Sequence, residues 1–265
     1  MPTRHVLVAE DNEANRLLAL KQLERLGVRA DAVADGEEAV AAVAARPYDL
    51  VFMDCNMPRL DGFAATRQIR EAEREAGVGR VIIVAMTAGA MDGDRSACLM
   101  AGMDDYLCKP VMMDDLHRMV SRWLSGDEPG SGRPAVEDSG GVRDDGAGSA
   151  VDPATFEAFR SSLGDDEFVA SFVDTFLSQL SVRLESLEAS SSAGDGAGLR
   201  FVAHTLKSTS AMLGAARLAR LCADLESAAD EAGEDRDDLV AAIRHEAENV
   251  QTALGPWRDR RRAVA

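Results

Sequence analysis

Apolar positions in the first half of the chain fall into short unbroken runs, and between those runs they recur at helical spacing. Val6 to Ala9, Ala30 to Ala34, Leu50 to Met53, Val81 to Met86 and Tyr106 to Cys108 are predicted strands. Asn15 to Leu26, Glu37 to Ala45, Phe63 to Ala76, Gly93 to Ala101 and Met112 to Leu124 read as helices, and Gly27, Gly77 and Gly102 sit where helices should stop. Five successive strand–helix units imply an α/β fold: a parallel, doubly wound sheet with helices on both faces, because parallel strands need crossovers and those are right-handed.

The second half shows no strand pattern. Phe168, Phe172, Phe176, Leu180, Leu184 and Leu187 mark one long amphipathic helix that Asp165 is placed to cap, preceded by a short helix from Pro153 to Leu163. Further stripes are Leu199, Val202, Leu206; Leu218, Leu221, Leu225; and Leu239, Ile243, Val250, Leu254, with breaks near Gly194 to Gly198, Gly214 and Gly233. The expected architecture is all-α, a four-helix bundle with an added N-terminal helix.

Between the halves, residues 125 to 150 hold seven glycines and two prolines in 26 positions, with almost nothing to bury. Such a flexible chain has a root-mean-square span of roughly 25–30 Å. The expected organisation is a first domain over 1–124, a linker over 125–151, a second domain over 152–257 and a basic tail over 258–265. Arg258 and Arg260 to Arg262 read most simply as a solvated end.

Composition narrows the classes. The chain has 46% apolar and 28% charged residues, as a soluble globular protein does. With 29 basic against 46 acidic side chains its net charge is −17, which repels nucleic acid and anionic lipid, so neither is an expected partner. Cys55, Cys98, Cys108 and Cys222 lack the spacing of a zinc site or a disulfide framework and suit a reducing cytoplasm. The beginning of the chain shows no signal-like core, and Val81 to Met86 is far too short to span a membrane.

In an open parallel sheet, ligands bind beyond the carboxyl ends of the strands. Glu10 and Asp11 follow the first predicted strand, Asp54 ends the third, Thr87 ends the fourth and Lys109 ends the fifth. Three carboxylates held together repel one another unless a hard cation such as Mg²⁺ relieves them. A phosphoryl group passing through a loose transition state needs positioning and charge compensation, which the metal, Lys109 and Thr87 supply, leaving Asp54 as nucleophile. Taken singly, Glu10-Asp11 reads equally well as an acidic helix start, and Asp54 as a turn residue before Met57-Pro58; it is the combination that points to a pocket.

Across residues 5 to 124 these features resemble the receiver domain of bacterial response regulators: Glu10-Asp11, Asp54 with Met57-Pro58 and Gly62, Met86-Thr87-Ala88, and Lys109-Pro110, in order and at the expected spacing. The resemblance implies a flavodoxin-like fold in which Asp54 accepts phosphate. It further implies that Asp11 and Asp54 bind magnesium with the Asn56 backbone carbonyl while Glu10 assists through water. Thr87 and Tyr106 would reposition on phosphorylation, and a cis Lys109-Pro110 peptide would aim the lysine.

In the helical half, His204 lies roughly 200° from Val202 and Leu206 at about 3.6 residues per turn, so it is expected to be exposed. A neutral imidazole carries a lone pair able to attack phosphorus. Lys207 at i+3 shares its face, and the small Ser208 at i+4 leaves room for a partner. Through His204, Lys207, Ser210, Ala211, Leu213 and Gly214 this segment resembles the histidine-phosphotransfer domain over about residues 152 to 257, departing from it at Ser208, where many relatives have glycine. His5, His117 and His245 have no comparable context.

The combination implies a phosphorelay intermediate, in which Asp54 is charged by a sensor histidine kinase and His204 exchanges phosphate with an aspartate on a partner receiver domain. No Gly-rich phosphate loop or kinase signature appears in the sequence, so the chain is read as a phosphotransfer protein and not an enzyme of the kinase class. Two other readings compete. One is a docking module controlled by phospho-Asp54, in which His204 transfers nothing. The other is a small-phosphoester phosphatase, against which Asn56 stands where a second aspartate is needed.

Overall fold

The computed structural model describes residues 4–87, 92–125, 149–229 and 234–262. It divides into two compact units, Met1–Gly140 and Gly141–Ala265. The expected linker lies, over 126–148, outside the described residues, as do Ala88 and the break at Gly233.

In the first unit the order is β1 (His5–Ala9), α1 (Glu13–Arg25), β2 (Arg29–Val33), α2 (Gly36–Ala45), β3 (Leu50–Asp54), α3 (Gly62–Ala76), β4 (Ile82–Thr87), α4 (Asp92–Ala101), β5 (Asp105–Cys108) and α5 (Met113–Val120). All strand pairs are parallel, and the sheet order is β2-β1-β3-β4-β5. The expected flavodoxin-like sheet is therefore present.

Alternation along the strands explains why these runs are apolar at nearly every position. Leu7, Ala9, Val51, Met53, Ile83 and Ala85 face one layer, packed with Ala39, Ala65, Ile69 and Cys98 from α2, α3 and α4. Val6, Val8, Leu50, Phe52, Val84 and Met86 face the other, packed with Ala19, Leu23, Leu116, Met119 and Val120 from α1 and α5. A sheet covered on both faces has no polar side to show.

Helix ends follow local chemistry. Asn12, Asp35 and Asp61 cap α1, α2 and α3 by accepting backbone N–H groups of the first turn. Gly27, Gly77 and Gly102 have φ of 71°, 63° and 99°, a region open to glycine without a Cβ penalty, and each lies just past a helix as expected. The predicted helix Met112 to Leu124 is split: α5 ends at Val120 and one π-helical turn, Ser121–Ser125, continues it.

The second unit contains α6 (Pro153–Leu163), α7 (Asp166–Ala193), α8 (Gly196–Met212), α9 (Ala216–Ala228) and α10 (Glu234–Arg262). Helix α7 packs on α8 and α10, and α9 on the same two, which closes a four-helix bundle; α6 lies on α7 and α8. Phe172, Val173, Leu180, Leu187, Leu199, Leu218, Leu225, Ile243, Val250 and Leu254 form its interior. The register differs from the expected stripes in places: Cys222 and Val240 are buried, while Phe168, Leu221 and Leu239 are partly exposed.

The basic segment expected as a tail from residue 258 is helical through Arg262, with Pro256 inside α10. Trp257 holds this end: its ring lies 5.2 Å from Phe156 and the Arg160 guanidinium sits 5.5 Å from its centroid, so α10 is anchored on α6 beyond the proline.

Candidate functional site

The strand register brings the acidic pocket together. Ala9 pairs with Met53, Asp54 with Met86 and Thr87 with Cys108, so the carboxyl ends of β1, β3, β4 and β5 finish level beside the point where strand order reverses. Carboxylate oxygens of Glu10, Asp11 and Asp54 lie within 4.8 Å of one another. Lys109 Nζ stands 2.6 Å from both Glu10 Oε2 and Asp54 Oδ2. Glu10, Asp54 and Thr87 are buried, and Lys109 N–H donates to the Thr87 carbonyl at 2.7 Å. The Lys109-Pro110 peptide is cis.

Burial pushes Asp54 up to about 8, helped by Glu10 and Asp11, against the opposing pull of Lys109. Burial alone would lower Lys109, but the carboxylates of Asp54 and Glu10 outweigh it and raise its pKa. Asp54 thus resists ionising despite the neighbouring ammonium. An all-oxygen donor set with excess negative charge fits a hard divalent ion such as magnesium.

The sequence did not point to the groups that fix these carboxylates. Glu10 Oε1 accepts from Asn12 N–H at 3.3 Å and Asn15 Nδ2 at 3.0 Å, and Arg16 Nη1 donates to the Glu10 carbonyl at 2.7 Å. The helix start belongs to Asn12, so Glu10 is freed from the capping role that its position also suggested. Asn56 N–H donates to Asp54 Oδ1 at 3.1 Å. A Cβ on Gly62 would fall 2.1 Å from the Asp54 carbonyl oxygen, which explains the glycine of the motif. Tyr106 is half-buried against the core beside α4, with the Arg95 guanidinium 5.8 Å from its ring.

In the bundle, His204 departs from expectation. It faces away from the Val202–Leu206 stripe, but its side chain is only 15% exposed because Glu226 of α9 leans across it, with Oε1 2.6 Å from His204 Nδ1. Lys207 shares the face as expected and is paired with Glu226 Oε2. Ser208 is buried, so it does not line the open face. It lies about 40° around the helix from His204. Glu226 left no sequence signal, since it borders the apolar stripe of its helix as many solvated residues do.

Comparison with known proteins agrees with both halves. Residues 6–121 match the response regulator receiver domain, and residues 171–253 match the Hpt domain. The chain is 33% identical over 223 residues to the sensor histidine kinase GacS of Pseudomonas protegens, covering 82% of this chain and 23% of that protein. It is 28% identical over 267 residues to the virulence sensor protein BvgS of Bordetella pertussis, covering 97% of this chain and 21% of the relative. The chain thus spans less than a quarter of these relatives' length. Among solved structures, the receiver domain of a Pseudomonas aeruginosa sensor histidine kinase, holding a magnesium ion in its active-site cleft, is 44% identical; the match covers 46% of this chain and 98% of that one, with a TM-score of 0.42. A Saccharomyces cerevisiae complex of the phosphotransfer protein Ypd1 with the Ssk1 receiver domain matches at 33% identity, covering 46% and 89%, with a TM-score of 0.45.

Proposed function

Because this chain joins a response regulator receiver domain to an Hpt domain, we propose that it is an intermediate of a multistep phosphorelay with two acceptors, Asp54 and His204. The observation that carries this reading is the pairing of a buried carboxylate, held at 2.6 Å by Lys109, with a histidine set beside a lysine on a separate bundle.

At the first acceptor, an Asp54 oxygen forms the new O–P bond as the N–P bond of the donor phosphohistidine breaks, and the electron pair returns to the donor imidazole. Glu10, Asp11, Asp54 and the Asn56 carbonyl would hold magnesium, which when bound offsets the carboxylate charge and screens the phosphoryl oxygens. The Lys109 ammonium and the Thr87 hydroxyl compensate the charge that spreads over the transferring group. Thr87 and Tyr106 carry the conformational response toward α4 and β5.

At the second acceptor, His204 exchanges phosphate with the aspartate of a partner receiver domain, and Lys207 attracts the incoming group. The donor is a sensor histidine kinase module; neither matched domain is a kinase. No helix among the described residues is long and apolar enough to cross a membrane, and with its free cysteines we place the protein in a reducing cytoplasm.

The test is to charge the chain with a candidate kinase, add a partner receiver, and follow the label through acid and base. Acyl phosphate at Asp54 and phosphoramidate at His204 hydrolyse under opposite conditions, so they separate cleanly. His204→Gln is expected to keep Asp54 labelling and to abolish transfer to the partner. Undiminished transfer would favour a docking module in which His204 carries nothing.

A further inference from the structure

The turn that follows Asp54 is held in a strained shape by one half-exposed side chain. Arg59 has φ of 64°, and among the described residues no other residue besides glycine has a positive φ. Leu60 N–H donates to the Pro58 carbonyl at 2.8 Å, which closes a three-residue γ-turn on Arg59. A Cβ makes this conformation unfavourable, so the surroundings must hold it. The start of α2 does so. The Arg59 guanidinium pairs through Nη2 with Asp35 Oδ2 and, at 3.2 Å, with Glu38 Oε1. Asp35 is fully buried, and its other oxygen accepts the Glu38 N–H at 2.8 Å as the cap of α2. Backbone contact reinforces the clamp: Gly36 N–H donates to the Leu60 carbonyl at 3.2 Å, and a Cβ on Gly36 would fall 2.3 Å from that oxygen.

Resting on the metal-assisted transfer read for Asp54, we propose that Arg59 is a positioning residue for the cation pocket: by clamping the β3–α3 turn to the buried Asp35 it sets the Asn56 carbonyl, and so favours magnesium over the larger calcium. Only Met57 and Pro58 lie between Arg59 and Asn56. Met57 is buried in the core and the Pro58 ring fixes its own φ, so a shift at Arg59 is passed on to the Asn56 carbonyl and is not absorbed. On the other side, Asn56 N–H is tied to Asp54 Oδ1 at 3.1 Å, which joins the same turn to the acceptor carboxylate. Magnesium demands a near-octahedral shell at about 2.0–2.1 Å, whereas calcium accepts roughly six to eight oxygens at about 2.3–2.6 Å in a flexible one. A carbonyl released from its clamp therefore weakens magnesium first.

An Arg59 that served folding alone would change stability and leave the preference between the two ions where it is. Calorimetric titration of the full chain with magnesium chloride and with calcium chloride reads both affinities, and the same titration of an Asp11→Asn chain shows which part of the heat belongs to the pocket. Arg59→Gly removes the clamp while admitting the positive φ freely, so the unit is expected to stay folded, as its urea midpoint will show. It is expected to lower magnesium affinity about tenfold, as loss of a group behind metal ligands does, and to leave calcium within about twofold. Because one nitrogen makes both contacts, Arg59→Lys keeps a cation for Asp35 and is expected to hold magnesium within about threefold of the parent.

A glycine variant with the parent magnesium-to-calcium ratio, or a lysine variant no tighter for magnesium than glycine, overturns the proposal and leaves the relay intact. If Asp11→Asn removes no magnesium binding from the parent chain, the cation is not in this pocket, and the metal-assisted reading of Asp54 falls together with the role of Arg59.

Discussion

Asp54 shows how one position is constrained from several sides. Its carboxylate faces Lys109 at 2.6 Å, its Oδ1 accepts the Asn56 N–H at 3.1 Å, and behind it the first residue of α3, Gly62, closes on its carbonyl. An added methyl at Gly62 would meet the Asp54 backbone carbonyl, with the Met53 side chain close behind, and backbone cannot swing aside as the end of a side chain can. Gly62→Ala is therefore expected to destabilise the receiver unit by about 1–3 kcal/mol, as overpacking does, and to slow Asp54 labelling because β3 and α3 must part. Urea unfolding and a labelling time course check the two effects; an alanine variant with parental values for both would show that the loop yields freely. Pocket residues were legible in the sequence because each follows or ends an apolar run, and a strand end tells where its neighbour points. Glu226, Asn15 and Arg16 were not legible, because their roles depend on how a helix lies across another element. Spacing along one helix says nothing of that. The same blindness made His204 look open and Ser208 look like part of the docking face.

At the scale of elements, the strands were readable to within about a residue, since a doubly covered parallel strand is apolar on both faces and stands out against any helix. Helix starts were partly readable through capping residues. Asp165 accepts the Phe168 N–H at 3.0 Å and so begins α7, the longest helix of the bundle after α10. Asp165→Ala removes that acceptor and is expected to lower the stability of the helical unit by about 1 kcal/mol, read as a shift of its urea midpoint with unchanged slope. No shift would mean that backbone or solvent takes over the cap. Helix α10 escaped the sequence reading at its far end. Arginines after a Gly-Pro pair look like a solvated tail, and the tilted contact of Trp257 with Phe156 of α6, with Arg160 over the Trp257 ring, shows why the helix persists.

At the scale of the molecule, the carboxylate pocket makes the first unit's stability depend on pH and on magnesium together. Asp54 has a folded value of about 8, above that of an unfolded aspartate. A carboxylate raised in this way binds its proton more tightly folded than unfolded, so the metal-free fold loses stability as pH climbs from about 4 to about 8 and carries the full penalty above that window. A divalent ion replaces the proton and removes the repulsion. Magnesium is thus expected to raise the melting temperature of the receiver unit far more at about pH 9 than at about pH 5.5, where protons already neutralise the site. At a concentration of about 100 times its dissociation constant, the ion adds roughly 2.7 kcal/mol. The helical unit has no such cluster among its described residues, and its own transition should stay where it is. Calorimetry of the full chain with and without magnesium at the two pH values separates these responses. Equal shifts at both, or a shift confined to the bundle, would remove the cation from the Asp54 pocket and with it the charge compensation on which transfer to Asp54 depends.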